Sequence, residues 1–319
     1  VDMDIYFDPA ANINRAFLAA NTGASLNDDL YRIDMTTGAA TLIGPIGGGM
    51  PVSNIAVFID RTVPAMPTGD LLYALTSGNN LISFDAANPA LLRTISPVSG
   101  IAAGQVLSGL DFRPATGELY GIGYNAGSGE VRLYTIDLTT GAATAIGMAP
   151  VLLKPGMGKI GFDFNPTVDR IRVTGSDNSN FRMHPVTGAL AATDGSLAFA
   201  AGDINAGKNP SVGAVAYTNS FNGTMTTTLY NYDDSLNIFT TQIPPNNGVL
   251  NTVGASGFSL NLSDPSADLD IYYDAATNQN RAYLVANAGN QVNDMLYSVN
   301  LMSGAASPLG SVGFGIAVT

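Results

Sequence analysis

A strand, a tight turn and a second strand recur in nearly the same words at three places in this chain. They read LYRIDMTTGAATLIG at 30–44, LYTIDLTTGAATAIG at 133–147 and LYSVNLMSGAASPLG at 296–310. In the middle copy Leu133, Thr135 and Asp137 alternate with Tyr134 and Ile136, the period of a strand whose faces differ. Thr140-Gly141 supplies the turn, because glycine tolerates positive φ and short polar side chains bond nearby amides. A lone hairpin is marginal in water, so each copy needs other strands to pack on. Repetition at long intervals makes the neighbouring copy that partner.

The strands that lead into these hairpins set a ruler. Apolar segments begin at Asn54, Gly109, Gly161, Gly213, Gly257 and Gly315, separated by 55, 52, 52, 44 and 58 residues. No segment has a sustained helical period. Six groups of about four antiparallel strands predict an all-β chain folded as a six-bladed β-propeller, one domain over 1–319. The small residues place the Gly-led strand innermost. In the last group either 257–262 or 269–273 can be innermost, and at the ring closure either 315–318 or 4–7.

The two ends repeat each other. DLDIYYD at 268–274 matches DMDIYFD at 2–8, and NRAYL at 280–284 matches NRAFL at 14–18. Val1 therefore sits inside a repeat, and the C-terminal apolar strand at 313–318 is expected to complete the N-terminal blade and close the ring.

Composition bounds the partners. Only 12% of residues are charged, about half the usual share, against 46% hydrophobic. Thirteen basic and 25 acidic residues give a net charge of −12. An acidic surface with no Lys/Arg cluster argues against nucleic acid and anionic membrane as partners. There is no cysteine, which removes disulfides, thiolate nucleophiles and Cys-ligated metals. No apolar run is long enough to span a bilayer as a helix. The composition, with a first residue other than Met, leads to the expectation of an exported bacterial protein, secreted, periplasmic or at the cell surface.

The phrases LLYALTSGNNLISFDAANP (71–89), GLDFRPATGELYGI, LYTIDLTTGAATAIG, GFDFNPTVDRIRV, FRMHPVTGALAATDG and NPSVGAVAYTNSFNGTMTTTLY together resemble a family of bacterial β-propellers known as a domain of unknown function, DUF4394. The resemblance spans about 69–310, with 1–68 read as an added copy of the last unit. It implies a propeller and brings no catalytic residues.

Candidate chemistry is sparse. Asp111 and Asp163 hold the same place in neighbouring inner strands, flanked by apolar residues. Two roles fit: lining the axis and holding a hard cation, or bonding the next blade through backbone amides or through Arg113, Arg170 and Arg172. Asp268, Asp270 and Asp274, with Asp2, Asp4 and Asp8, suggest a Ca²⁺ loop, although their spacing is not that of an EF-hand. Alternate aspartates on a strand are also simply a solvated face. His184, the only histidine, takes the hairpin position of Asp34 and Asp137 and reads as a turn residue rather than a base. The Gly-rich 44–49 lacks the Lys-Ser/Thr of a phosphate loop, and no other cofactor motif is present.

Three functions compete. The first is a noncatalytic extracellular scaffold or binding module for a protein or carbohydrate ligand. The second is a hydrolase or lyase with its site at a channel mouth, metal-assisted through Asp111 and Asp163. The third is a self-assembling subunit that exchanges terminal strands.

Overall fold

A computed structural model describes residues 1–8, 13–23, 25–57, 66–156, 159–261, 263 and 265–318. The chain divides into two compact units, Val1–Thr62 and Val63–Thr319. The described residues carry strands and three 3₁₀ turns but no α-helix, as the missing helical period predicts.

Unit 1 holds one antiparallel sheet of β1 (Asp2–Asp8), β2 (Ile13–Ala20), β3 (Asp29–Ile33) and β4 (Ala40–Pro45), in that order. Residues 54–57 follow it as an extended segment clasped at two amides. Asp2 accepts from Ile55 N–H and Asp4 from Val57 N–H, both at 2.7 Å. The strand expected over 54–59 is not formed in 54–57; positions 58 and 59 lie outside the described residues.

Unit 2 holds five sheets. The first is β5 (Leu71–Leu75), β6 (Asn80–Asp85) and β7 (Asn88–Pro97). The second is β8 (Val106–Phe112), β9 (Leu119–Asn125), β10 (Glu130–Ile136) and β11 (Ala143–Ala145), with β12 (Val151–Leu152) also on β10. The third is β13 (Ile160–Asn165), β14 (Arg170–Gly175), β15 (Asn180–Met183) and β16 (Leu190–Thr193). The fourth combines β17 (Ala198–Phe199), β18 (Val212–Tyr217), β19 (Leu229–Asp233), β20 (Ile238–Gln242) and β21 (Val249–Ala255), where β17 lies parallel to β21. The fifth is β22 (Ala267–Asp274), β23 (Gln279–Ala286), β24 (Met295–Val299) and β25 (Ala306–Ser311).

The hairpin turns form for the reason the sequence suggests. Asp137 accepts from the amides of Thr139 (3.0 Å) and Thr140 (2.8 Å), while Gly141 at φ +72° donates to the Asp137 carbonyl. Asp34 and Asn300 cap their turns in the same way. His184 does so too, its Nδ1 accepting from Val186 N–H at 3.2 Å. A turn residue is thus what this histidine is. The turn also locks sheet to sheet, since a Cβ at Gly141 would collide with the Pro97 carbonyl of β7.

The core lies between sheets. Leu75 and Leu81 of the first sheet pack with Leu107, Leu119 and Tyr134 of the second. Ile122 and Val131 meet Phe164 and Val173. Ala214, Tyr232 and Phe239 meet Leu269, Ile271 and Leu284. Phe84 and Ile82 of the first sheet meet Leu296 and Val312 at the far end of the chain. The strands β8, β13, β18 and β22 stand at sheet edges and pack against one another in that order. In the last group it is β22 that stands at the sheet edge against β18; residues 257–261 form no strand, and position 262 lies outside the described residues.

The C-terminal residues depart from expectation. They are not a continuous strand: a 3₁₀ turn over Val312–Phe314 is followed by a single bridge, Val318 to Thr76. Gly313 (φ +55°) and Gly315 (φ +105°) break the extended run. The expected union of the N- and C-terminal strands is corrected by this bridge, because the partner of the C-terminal residues is the end of β5.

Gly161 on β13 tests the crowding between neighbouring edge strands. A Cβ there would collide with Thr174 Oγ1 and lie 2.9 Å from Val215 Cγ1 of β18. Gly161→Val is expected to cost about 1–3 kcal/mol by overpacking, read as a lower urea midpoint with an unchanged slope. An unchanged midpoint would mean that β13 and β18 part at no cost.

Candidate metal centre

Three of the predicted aspartates come together inside unit 2. Asp111 (β8), Asp163 (β13) and Asp270 (β22) each offer a carboxylate oxygen, and these oxygens lie within 4.8 Å of one another. Alternation puts them there. Leu110 and Phe112 turn toward the neighbouring sheets, so Asp111 turns away from them, and the same holds for Asp163 between Phe162 and Phe164.

Each carboxylate is fixed through backbone amides. Asp111 accepts from Phe164 N–H at 2.7 Å, Asp163 from Tyr217 N–H at 3.0 Å, and Asp270 from Ile271 N–H at 2.6 Å. Bonding from one sheet to the next is therefore one of the roles of Asp111 and Asp163, as the sequence allowed, while Asp270 bonds within its own strand. The arginines named as partners go elsewhere: Arg113 to Asp169, Arg170 to the carbonyls of Val168 and Asp169, Arg172 to Asp194.

The electrostatics follow. Burial, reinforced by the neighbouring carboxylates, holds Asp111 and Asp163 well above the usual carboxylate range. Burial also raises Asp270. Asp268, one residue further out on the same face of β22, is pushed up to about 7 by burial and by Asp270, with Lys159 opposing. Asp270 meets water although protein surrounds it, because it faces a cavity. That cavity, about 580 Å³, lies among β5, β8 and β22 and includes Asp111, Asp268 and Asp270 in its wall.

Asp274 does not join this group. It accepts from Ala276 N–H and Thr277 Oγ1 and pairs with Arg281, and these bonds hold its carboxyl below the usual range. Asp8 plays the same part in unit 1, paired with Arg15 at 2.7 Å.

One group escaped the sequence reading, and a second, Arg172, was read there only as a partner for Asp111 or Asp163. Asp234 is pushed up to about 7 by burial and by Asp233, and its Oδ1 has no hydrogen-bond partner among the described residues. Arg172, 1% exposed, donates to Asn180, Asp194, Asn246 and Tyr217. Local spacing carries no signal for either.

A family model described as a domain of unknown function, DUF4394, matches residues 1–56 and 80–319. The chain belongs to this family. Membership includes residues 1–56, which the resemblance in sequence had set apart from the family-like region. None of the curated proteins matches the chain. Among solved structures, a protein of Lactobacillus plantarum is 16% identical at a TM-score of 0.38, covering 98% of this chain and 93% of that one. A calcium-binding protein of Agrobacterium tumefaciens, regucalcin, is 12% identical at 0.39, covering 89% and 81%. A glutaminyl cyclase of Myxococcus xanthus is 9% identical at 0.41, covering 69% and 83%. Scores this low carry no argument about the activity of a DUF4394 protein.

Proposed function

We propose that this DUF4394 protein is a binding module of propeller architecture whose interior carboxylates hold one hard divalent cation, Ca²⁺ by the chemistry of the donors. The observation that carries the reading is the convergence of Asp111, Asp163 and Asp270 to within 4.8 Å. Oxygens about 2.4 Å from a common calcium lie at most about 4.8 Å apart. Three carboxylates gathered without a guanidinium among them repel one another, and a cation offsets that repulsion. In the ring we propose, the five sheets of unit 2 succeed one another around these residues, and the fifth returns to the first through Leu296, Val312 and Phe84. The ion then acts as a pin between three strands, and the adjoining cavity takes the ligand. An extracellular location and a protein or carbohydrate ligand belong to the same proposal.

The test is calorimetric titration of chelator-treated protein with Ca²⁺. Asp163→Asn and Asp111→Asn are expected to weaken binding at least tenfold, while Asp274→Asn leaves it unchanged because that carboxylate serves its own turn. Equal affinities in all three variants would place the ion elsewhere. A second reading, a hydrolase, is favoured by one observation: Asp268 sits in the cavity wall with its carboxyl near 7, suited to exchange protons at neutral pH. Turnover in an esterase, lactonase and glycosidase screen, abolished by Asp268→Asn, would replace the binding module with that reading.

A further inference from the structure

The chain holds two Asn-Gly pairs, Asn222-Gly223 and Asn247-Gly248. This dipeptide carries a chemistry of its own. The glycine amide nitrogen can attack the side-chain carbonyl carbon of the asparagine, because the glycine has no side chain to hinder the approach and a freely turning backbone. The N–Cγ bond forms, the Cγ–Nδ2 bond breaks, and the side-chain nitrogen leaves as ammonia with the proton of the glycine amide. Water then opens the succinimide ring at one or the other carbonyl, giving aspartate or isoaspartate. Attack requires a free asparagine side chain, a glycine N–H without an acceptor and a peptide that can turn.

Asn222-Gly223 meets all three requirements. It lies at the tip of the connection between β18 and β19, the kind of place where change is best tolerated. Both residues are exposed. Among the described residues neither the Asn222 side chain nor the Gly223 N–H makes a hydrogen bond. Gly223 stands at φ +86°, and nothing lies within 4 Å of where its Cβ would be. The turn is closed by a long bond, Thr224 N–H to the Phe221 carbonyl at 3.4 Å. The firm anchors of the loop stop short of the pair. Before it, Asn219 N–H donates to Asn280 Oδ1 at 2.7 Å; after it, Thr227 Oγ1 donates to the Thr218 carbonyl at 2.6 Å.

Asn247-Gly248 is locked instead. Asn247 ends a 3₁₀ turn, and the Gly248 N–H donates to the Pro245 carbonyl at 3.3 Å. The Gly248 carbonyl accepts from Ala198 N–H at 2.9 Å. A Cβ at Gly248 would collide with the carbonyls of Gly195 and Ser196, and a Cβ at Gly195 would lie 2.7 Å from the Asn247 carbonyl oxygen. A peptide packed this closely on both sides cannot turn.

We propose that Asn222 is a site of self-modification, converting to aspartate or isoaspartate in the folded protein while Asn247 persists. The product adds one carboxylate to a chain of net charge −12, in the loop whose Ser220 lines the cavity. The reaction consumes only water, so it stands apart from the cation reading.

The test is peptide mapping by mass spectrometry during incubation in mildly alkaline buffer, on the folded chain and on the chain unfolded in urea. The effect of the fold is the ratio of the folded to the unfolded rate at each site. That ratio is expected near unity at Asn222 and at least tenfold lower at Asn247. Ion exchange should separate an acidic form that accumulates with time and is missing from Asn222→Gln protein. A ratio at Asn222 tenfold below unity, or equal ratios at the two sites, would overturn the proposal. So would an acidic form that accumulates equally in Asn222→Gln protein.

Discussion

Arg172→Ala is expected to cost unit 2 about 3–5 kcal/mol, a third or more of a typical domain's stability. The guanidinium is 1% exposed and joins four elements. It donates to Asn180 Oδ1 at 2.7 Å, Asp194 Oδ2 at 2.6 Å, Asn246 Oδ1 at 2.8 Å and Tyr217 OH at 3.3 Å. Asn180 in turn bonds the carbonyls of Gly195 and Pro245. Truncation leaves Asp194 leaning on Arg182 alone and strips the buried Asn180 amide oxygen of its donor, which costs more than the bond itself contributed. Arg172→Lys should recover little, because an ammonium on a flexible stem cannot reproduce a planar fork serving several acceptors. The measurement is urea unfolding of the three proteins. The same network gives an acid signature. Burial raises the Asp194 carboxyl, but its bonds to Arg182 and Arg172 outweigh this and hold it below the usual range. A carboxyl depressed in the folded state stabilises above the unfolded value and loses that contribution as pH falls through the folded one. The difference between wild type and Arg172→Ala should therefore shrink below about pH 4. A constant difference down to acid pH would show that Arg172 acts by packing alone.

Deleting residues 313–319 should lower stability by about 3–5 kcal/mol, through lost burial of Val318 and lost backbone pairing. Val318 is 5% exposed and packs with Ala74, Ile82 and Phe84. Its amide donates to Asp294 Oδ2 at 2.6 Å, and its carbonyl accepts from Ser266 Oγ at 2.6 Å. Ser77 N–H donates to the Ala317 carbonyl at 3.1 Å. Since these partners surround the end of β5, limited proteolysis should open new sites near residues 71–77. An unchanged cleavage pattern and melting temperature would mean that the C-terminal residues hold nothing in place.

What the sequence made legible is what repeats locally. The hairpin words at 133–147 dictate strand, capped turn and strand because Asp137, Thr140 and Gly141 act within a few residues of one another. Asp111 and Asp163 were legible because two copies of one phrase put carboxylates at one register. The join of the ends was not legible, for an equally physical reason. The N-terminal and last sheets carry the same words, even to paired Arg15–Asp8 and Arg281–Asp274, so pattern alone cannot say which edge receives Val318. Arg172 was misassigned because its partners lie 8, 22, 45 and 74 residues away. Asp274 looked like a ligand by spacing, whereas Thr277 and Arg281 claim it. The cavity along β5 could not be foreseen, since its walls come from β5, β8 and β22, strands far apart in the sequence.

The central claim is that Asp111, Asp163 and Asp270 hold a cation, and thermal unfolding in chelator and in excess Ca²⁺ tests it most directly. An ion at a hundred times its dissociation constant stabilises the folded state by about 2.7 kcal/mol, which for a chain of this size is roughly 4–5 °C in melting temperature. The expected result is a rise of that order for the wild-type protein and none for Asp163→Asn. Identical melting temperatures of the wild-type protein with chelator and with Ca²⁺ would contradict it.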